Sequence, residues 1–114
     1  MAVHVGVMKM LLEVPGARSL KDRRQSLKSL QDRARNRFHI TWNEVDGVDE
    51  TDRREVVVTT AGSDARQIRS VLDQVRSLVD GSGRAWPVTV DIDVFPWKPH
   101  VLRWQDDDEG AWNE

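Results

Sequence analysis

Four segments of the chain predict β-strands, three of them by alternation of hydrophobic and polar residues and the third in chain order by its run of β-branched residues. The segments are residues 3–14, 40–45, 55–61 and 86–94. In the first segment Val3, Val5 and Val7 share one face, and the apolar phase changes near Lys9, which predicts a β-bulge there. In the fourth segment alternate residues from Trp86 to Val94 are apolar. That strand should therefore have one polar face.

Helical spacing of apolar residues predicts a first helix after Pro15 and Gly16, which end the first strand. Ser19 is a suitable N-cap, and Asp22 can complete a capping box. The helix should fade near Asn36. Its apolar stripe consists of Leu20, Leu27, Leu30, Ala34 and Phe38.

A second helix is predicted from Ser63 or Asp64, either of which can cap it, to Asp80. The glycines that follow should supply a left-handed C-cap. Its apolar positions match the i, i+3, i+4, i+7 template. They are Ile68, Val71, Leu72, Val75, Leu78 and Val79.

The predicted order is β-α-β-β-α-β, which indicates an α+β fold. Right-handed crossovers place both helices on one face of a four-stranded antiparallel sheet, as in a ferredoxin-like sandwich. Residues 1–95 form this domain. Pro96 and Trp97 should break the last strand, so residues 96–114 form an acidic, tryptophan-containing C-terminal tail.

Positive charge is concentrated in residues 16–38, which contain eight of the 17 Lys and Arg residues and only two acids. The segment carries a formal charge of +6, whereas the whole chain carries −2. This concentration favours an anionic partner. The cations best placed to contact phosphates are Arg18, Lys21, Arg24, Lys28 and Arg35.

The composition of the chain, 39% hydrophobic and 32% charged, is typical of a globular domain. No apolar run reaches the length of a membrane helix, and the N-terminus lacks the pattern of a signal peptide. Cysteine is absent, which excludes disulfides and thiolate chemistry. We therefore expect a cytoplasmic protein with no cofactor and no membrane association.

The turn and first helix carry a family resemblance. The run Pro15-Gly16-Ala17-Arg18-Ser19-Leu20-Lys21-Asp22-Arg23-Arg24, with Arg35-Asn36-Arg37-Phe38, resembles the YlxP-like family of small bacterial proteins of unknown function. Asn43-Glu44-Val45 and Ala61-Gly62-Ser63-Asp64 resemble later segments of that family. The resemblance implies a ferredoxin-like fold and a connection with RNA or the ribosome. An aromatic residue expected near Thr51 or Asp52 is missing, and the tail beyond Phe95 has no counterpart.

Two interpretations of the basic helix remain open. In one, its cations contact RNA phosphates and release counterions, which makes binding strongly dependent on salt. In the other, the helix has an ordinary solvated face, because Lys and Arg favour helices. Trp42 could stack on a base if it lay on the open sheet face, but a sequence-reading RNA recognition motif is not indicated.

A protein–protein interaction module, such as a homodimer, is the alternative from another class. It would act through the outer face or edge of the sheet, and exposure of Trp42 and Trp86 would favour it. The acidic run from Asp106 to Glu109 gives a further hypothesis, in which the tail folds back on the basic helix and competes with its partner. A disordered tail that aids solubility is the alternative.

The residues do not predict an enzyme. Arg18 and Asn43 occupy positions loosely similar to those used by acylphosphatases, but Pro15 and the single glycine do not make a glycine-rich phosphate loop. His4, His39 and His100 lack partners at metal-ligand spacing. Asp91 and Asp93 share a strand face, where solvation is a simpler explanation than catalysis.

Overall fold

The structure, a computed structural model, describes residues 2–15, 19–45 and 53–98. Within these ranges the sheet has the strand order β2-β3-β1-β4, and every neighbouring pair of strands is antiparallel. Both helices cover one face, so the chain has the predicted ferredoxin-like α+β sandwich. The elements are β1 (Val3–Glu13), α1 (Leu20–Arg37), β2 (Thr41–Val45), β3 (Arg53–Gly62), α2 (Ala65–Asp80) and β4 (Trp86–Trp97).

The core lies between the helices and one face of the sheet. Alternate residues of β1 point into it, because successive strand side chains point to opposite faces. Among the described side chains of α1, Leu27, Leu30 and Ala34 are buried, in agreement with the predicted stripe. No polar or charged residue among those described is buried. The sheet and α2 contribute Met8, Met10, Leu12, Trp42, Val56, Val58, Ile68, Leu72, Val75 and Val79.

The other sheet face, which we call the open face, has no helix over it in the described part of the chain. Val5 and Val7 are half-buried there, and the Lys9 ammonium lies 3.5 Å from the Glu55 carboxylate. Hydrophobic side chains therefore occupy both faces of β1. This explains why the apolar phase of the strand changes along the sequence without a break in its pairing with β3.

The predicted β-bulge near Lys9 is wrong in position. Pairing of β1 with β4 is continuous there and shifts between Leu11 and Leu12, where Leu11 pairs with Thr89 and Leu12 with Pro87. The shift also ends the strict alternation expected in β4. As a result Trp86, opposite Glu13, is 48% exposed instead of lying in the core.

The end of β4 and the end of α2 also differ from prediction. β4 runs through Pro96 to Trp97, because an edge strand tolerates a proline whose nitrogen faces away from its neighbour. Gly81 caps α2 with φ of −87°, and Gly83 instead has the left-handed φ of 74°. The proposed docking of the acidic tail on α1 concerns residues 106–109, which lie outside the described residues.

Candidate nucleic-acid interface

Helix α1 begins as its sequence predicts. The Ser19 hydroxyl accepts a hydrogen bond from the Asp22 backbone N–H at 3.1 Å, which satisfies one free donor of the first turn. At the other end Arg35 and Arg37 lie in the last turn, where cations interact favourably with the helix dipole. The cap and the apolar stripe together fix which side of the helix faces solvent.

Four of the five predicted phosphate-contacting residues lie on one exposed strip of α1. At 100° per residue, these four positions fall within an arc of about 60°. At 1.5 Å per residue they extend over about 21 Å of the helix. We call this set the basic stripe; it consists of Lys21, Arg24, Lys28 and Arg35, all exposed.

The remaining cations of α1 lie elsewhere. Arg33 and Arg37 border an open cleft of about 540 Å³ between α1 and α2. The Arg37 guanidinium also lies over the Phe38 ring, 5.5 Å from its centre. Arg23 is half-buried, and its Nε has no hydrogen-bond partner among the described residues. Arg18 lies outside the described residues.

The basic stripe faces away from α2. Arg33 and Asn36 mark the flank of α1 that borders the inter-helix cleft, and the stripe occupies the opposite flank of the helical wheel. Helix α1 packs on β2, whereas α2 packs on β1, β3 and β4. The stripe therefore lies above the β2 edge of the sheet, where no second helix of the described chain limits access.

One cation of the stripe has an intrahelical partner. Lys28 Nζ lies 3.6 Å from Asp32 Oδ1, and both side chains are exposed. Exposed pairs of this kind contribute little to stability. An approaching phosphate can therefore replace Asp32 as the partner of Lys28 at small cost.

Apart from exposed positive charge, the described residues include few groups that could bind a metal ion or stack on a base. No cluster of His, Asp or Glu suited to a metal ion occurs among them. Trp42 is 5% exposed and lies under the helices, so the expectation that it could stack on a base from the open face is wrong. The alternation of β2 places Trp42 on the core face, opposite Val58 of β3.

The open face carries exposed aromatic side chains that the charge pattern did not single out. Trp86 is 48% exposed and Phe95 36% exposed on β4. Asp91 and Asp93 lie on the same face and are exposed, as predicted. Asn43, considered for an acylphosphatase-like site, is exposed on the edge strand β2.

Comparison with known proteins identifies a family whose function is unknown. The sequence model of DUF503, a family described as proteins of unknown function, matches residues 5–92. No curated protein matches the chain. No helix in the described part of the chain is long and apolar enough to cross a membrane.

Solved structures with a similar arrangement have little sequence identity to this chain. The structural-genomics protein YJCS is 8% identical with a TM-score of 0.49, covering 78% of this chain and 96% of its own. A designed protein with a ferredoxin fold, LFR1 1, is 10% identical with a TM-score of 0.46, covering 88% of each chain. An amidase of the hydantoinase/carbamoylase family from Burkholderia phymatum is 8% identical with a TM-score of 0.46, covering 85% of this chain and 28% of its own. At these values the likenesses carry no functional inference.

Proposed function

Because the chain belongs to the DUF503 family, whose function is unknown, we propose from its own surface that it is a non-enzymatic, cytoplasmic RNA-binding protein. The observation that supports this most is the basic stripe. Lys21, Arg24, Lys28 and Arg35 are exposed along one flank of α1. They present a row of positive charge to a phosphate backbone.

Contacts of this kind position a nucleic acid without reading its sequence. Recognition of unstacked bases uses aromatic side chains, and α1 contains no aromatic residue beside the stripe. We therefore propose structured RNA, with ribosomal RNA as the first candidate. The resemblance to the YlxP-like family agrees with this choice.

The test is binding of a fluorescein-labelled RNA hairpin of about 20 nucleotides, followed by anisotropy across a potassium chloride series. Four phosphate contacts predict a slope of log affinity against log salt of about −3. Charge reversal at Lys21, Arg24 and Lys28 should lower affinity at low salt by about 100-fold or more and flatten the slope.

A matched control reverses Arg66, Arg69 and Arg76, which are exposed on α2. Both triple variants change the net charge by the same amount, so only the position of the charges differs. The control should bind RNA within about threefold of the unaltered chain. Equal losses in both variants would show that net charge alone drives binding and would contradict the proposal. Circular dichroism would be used to check that each variant is folded.

A second candidate function is protein–protein interaction through the sheet, and the exposure of Trp86 and Phe95 favours it. Aromatic side chains are enriched at protein–protein interfaces. The two functions use different faces of the molecule. Reversal of Lys21, Arg24 and Lys28 should therefore abolish RNA binding and leave association through the sheet unchanged, including any self-association.

A further inference from the structure

We propose that the free edge of β4 binds an extended peptide segment in which apolar and basic residues alternate. The edge is separate from the RNA surface, because β4 and the basic stripe lie at opposite sides of the sheet. Strand β4 is the last in the order β2-β3-β1-β4 and pairs only with β1 among the described residues. Its 12 residues make it longer than most β-strands of globular proteins.

The two prolines of β4 show which backbone groups face outward. Pro96 pairs with His4, and Pro87 pairs with Leu12. Proline has no N–H to donate, so both pairs belong to the class in which the strand's hydrogen-bonding groups point away from the neighbour. By alternation from Pro96, the edge-facing N–H and C=O groups are those of Val94, Ile92 and Val90.

These three residues form a run of free donors and acceptors bounded by the prolines. Their side chains face α2 and are half-buried at the rim of the core. An added strand would therefore hydrogen-bond to Val90, Ile92 and Val94 and cover their exposed sides with its own apolar residues.

The side chains on the open face of the same run determine which charge the partner peptide should carry. Asp91 and Asp93 are exposed there and alternate with the edge-facing residues. Cross-strand neighbours on one face lie about 5 Å apart, so a partner strand places side chains directly opposite both carboxylates. On β1, Lys9 is opposite Asp91 and Val7 is opposite Asp93, so Lys or Arg at two alternate positions of the partner would add a cation beside each carboxylate from the free edge.

The same geometry disfavours a second copy of this chain. Antiparallel pairing of two β4 strands centred on residue 91, 92 or 93 places an aspartate opposite an aspartate in each register. Like charges in that position are destabilising. The acidic run of the chain's own tail, residues 106–109, carries the wrong sign for the same reason. A peptide segment that contains basic residues is therefore the partner that fits this edge.

The experiment titrates the full chain with an eight-residue peptide of alternating Lys and Val and with a matched peptide of alternating Glu and Val. Amide exchange measured by NMR reports the binding mode. The Lys peptide should slow exchange of the Val90, Ile92 and Val94 amides by about tenfold at saturation and leave the inward-bonded amides of Asp91 and Asp93 unchanged. The Glu peptide should not bind.

Reversal of both Asp91 and Asp93 to Lys should weaken the Lys peptide by about tenfold and allow the Glu peptide to bind. The matched control reverses Asp32 and Glu44, which lie on α1 and β2, and should leave both peptides unaffected. Binding of the Lys peptide without the alternating amide protection would reveal general electrostatic attraction and overturn the proposal, as would equal binding of the two peptides. Neither result bears on RNA binding by the basic stripe.

Discussion

Gly6 of β1 lies directly under Ile68 of α2, with no room between them for a side chain. A Cβ at Gly6 would also lie 2.9 Å from Leu72 Cδ1. Real Cβ atoms do not approach neighbours so closely, so the Ile68 and Leu72 side chains, or the helix that carries them, would have to shift. The absence of a side chain at Gly6 therefore lets α2 pack its apolar side chains directly on the central strand.

Substitution of Gly6 by Ala should destabilise the domain by about 1–3 kcal/mol, because overpacking forces the core to shift. Urea unfolding followed by circular dichroism measures the change. Gly62→Ala is the matched control, since its Cβ would lie 3.8 Å from Ile68, an ordinary contact. A Gly6 variant as stable as the Gly62 variant would show that the groups around Gly6 can shift at no cost and would contradict the prediction.

Loss of the N-cap of α1 should weaken the helix that carries the basic stripe. Ser19→Ala removes the acceptor for the Asp22 N–H and should cost about 1 kcal/mol in the free energy of unfolding. Ser19→Asp retains an acceptor and adds a charge favourable to the helix N-terminus, so it should be nearly neutral. Thermal unfolding compares the two. Equal destabilisation by both variants would contradict a capping role.

Removal of the Asp32 charge should strengthen RNA binding, because it frees Lys28 from its intrahelical partner. Asp32→Asn should raise affinity about two- to fivefold at low salt and less at high salt. Anisotropy with the labelled hairpin measures the effect.

The matched control for that change is Asp73→Asn on α2, which breaks the equivalent pair with Arg69 at 3.5 Å. It makes the same change in net charge away from the basic stripe. An equal rise in affinity for both variants would locate the effect in the overall charge and not in Lys28.

The left-handed glycine after α2 gives a further test. Gly83 has φ of 74°, and a Cβ added there would meet no atom within 4 Å, so any cost of substitution is conformational. Gly83→Ala should destabilise the domain by about 1 kcal/mol, and Gly83→Asn by less. Gly62→Ala, at a position without a positive φ and with its nearest contact at 3.8 Å, should cost less than Gly83→Ala by urea unfolding. The reverse order would contradict a left-handed turn at Gly83.

The fold was predictable because each helix shows a single apolar stripe. Leu27, Leu30 and Ala34 recur at helical spacing and are all buried, which fixes the inner side of α1 and hence its outer flank. The exposure of Lys21, Arg24 and Lys28 followed from that assignment. The spacing of apolar residues predicts which side chains are buried when a helix or strand is buried on one side only.

The errors arose where neighbours in space decide the outcome. β1 is apolar on both faces, so its sequence alone did not locate the register shift at Leu11 and Leu12. Trp42 fits an open face or a covered one equally well by pattern, and only the packing of α1 on β2 buries it. Pro96 continues a strand because β4 has a neighbour on one side alone in the described sheet, which the sequence does not state.

The basic stripe lies above β2, and the carboxylates of Asp91 and Asp93 lie on β4, at the opposite edge of the sheet. Three strand spacings separate β2 from β4, or about 14 Å. A polyanion bound at the basic stripe would therefore contact the β2 side of the domain and leave β4 at a distance. In that orientation the free edge of β4 would remain accessible to a second molecule while the first remains bound.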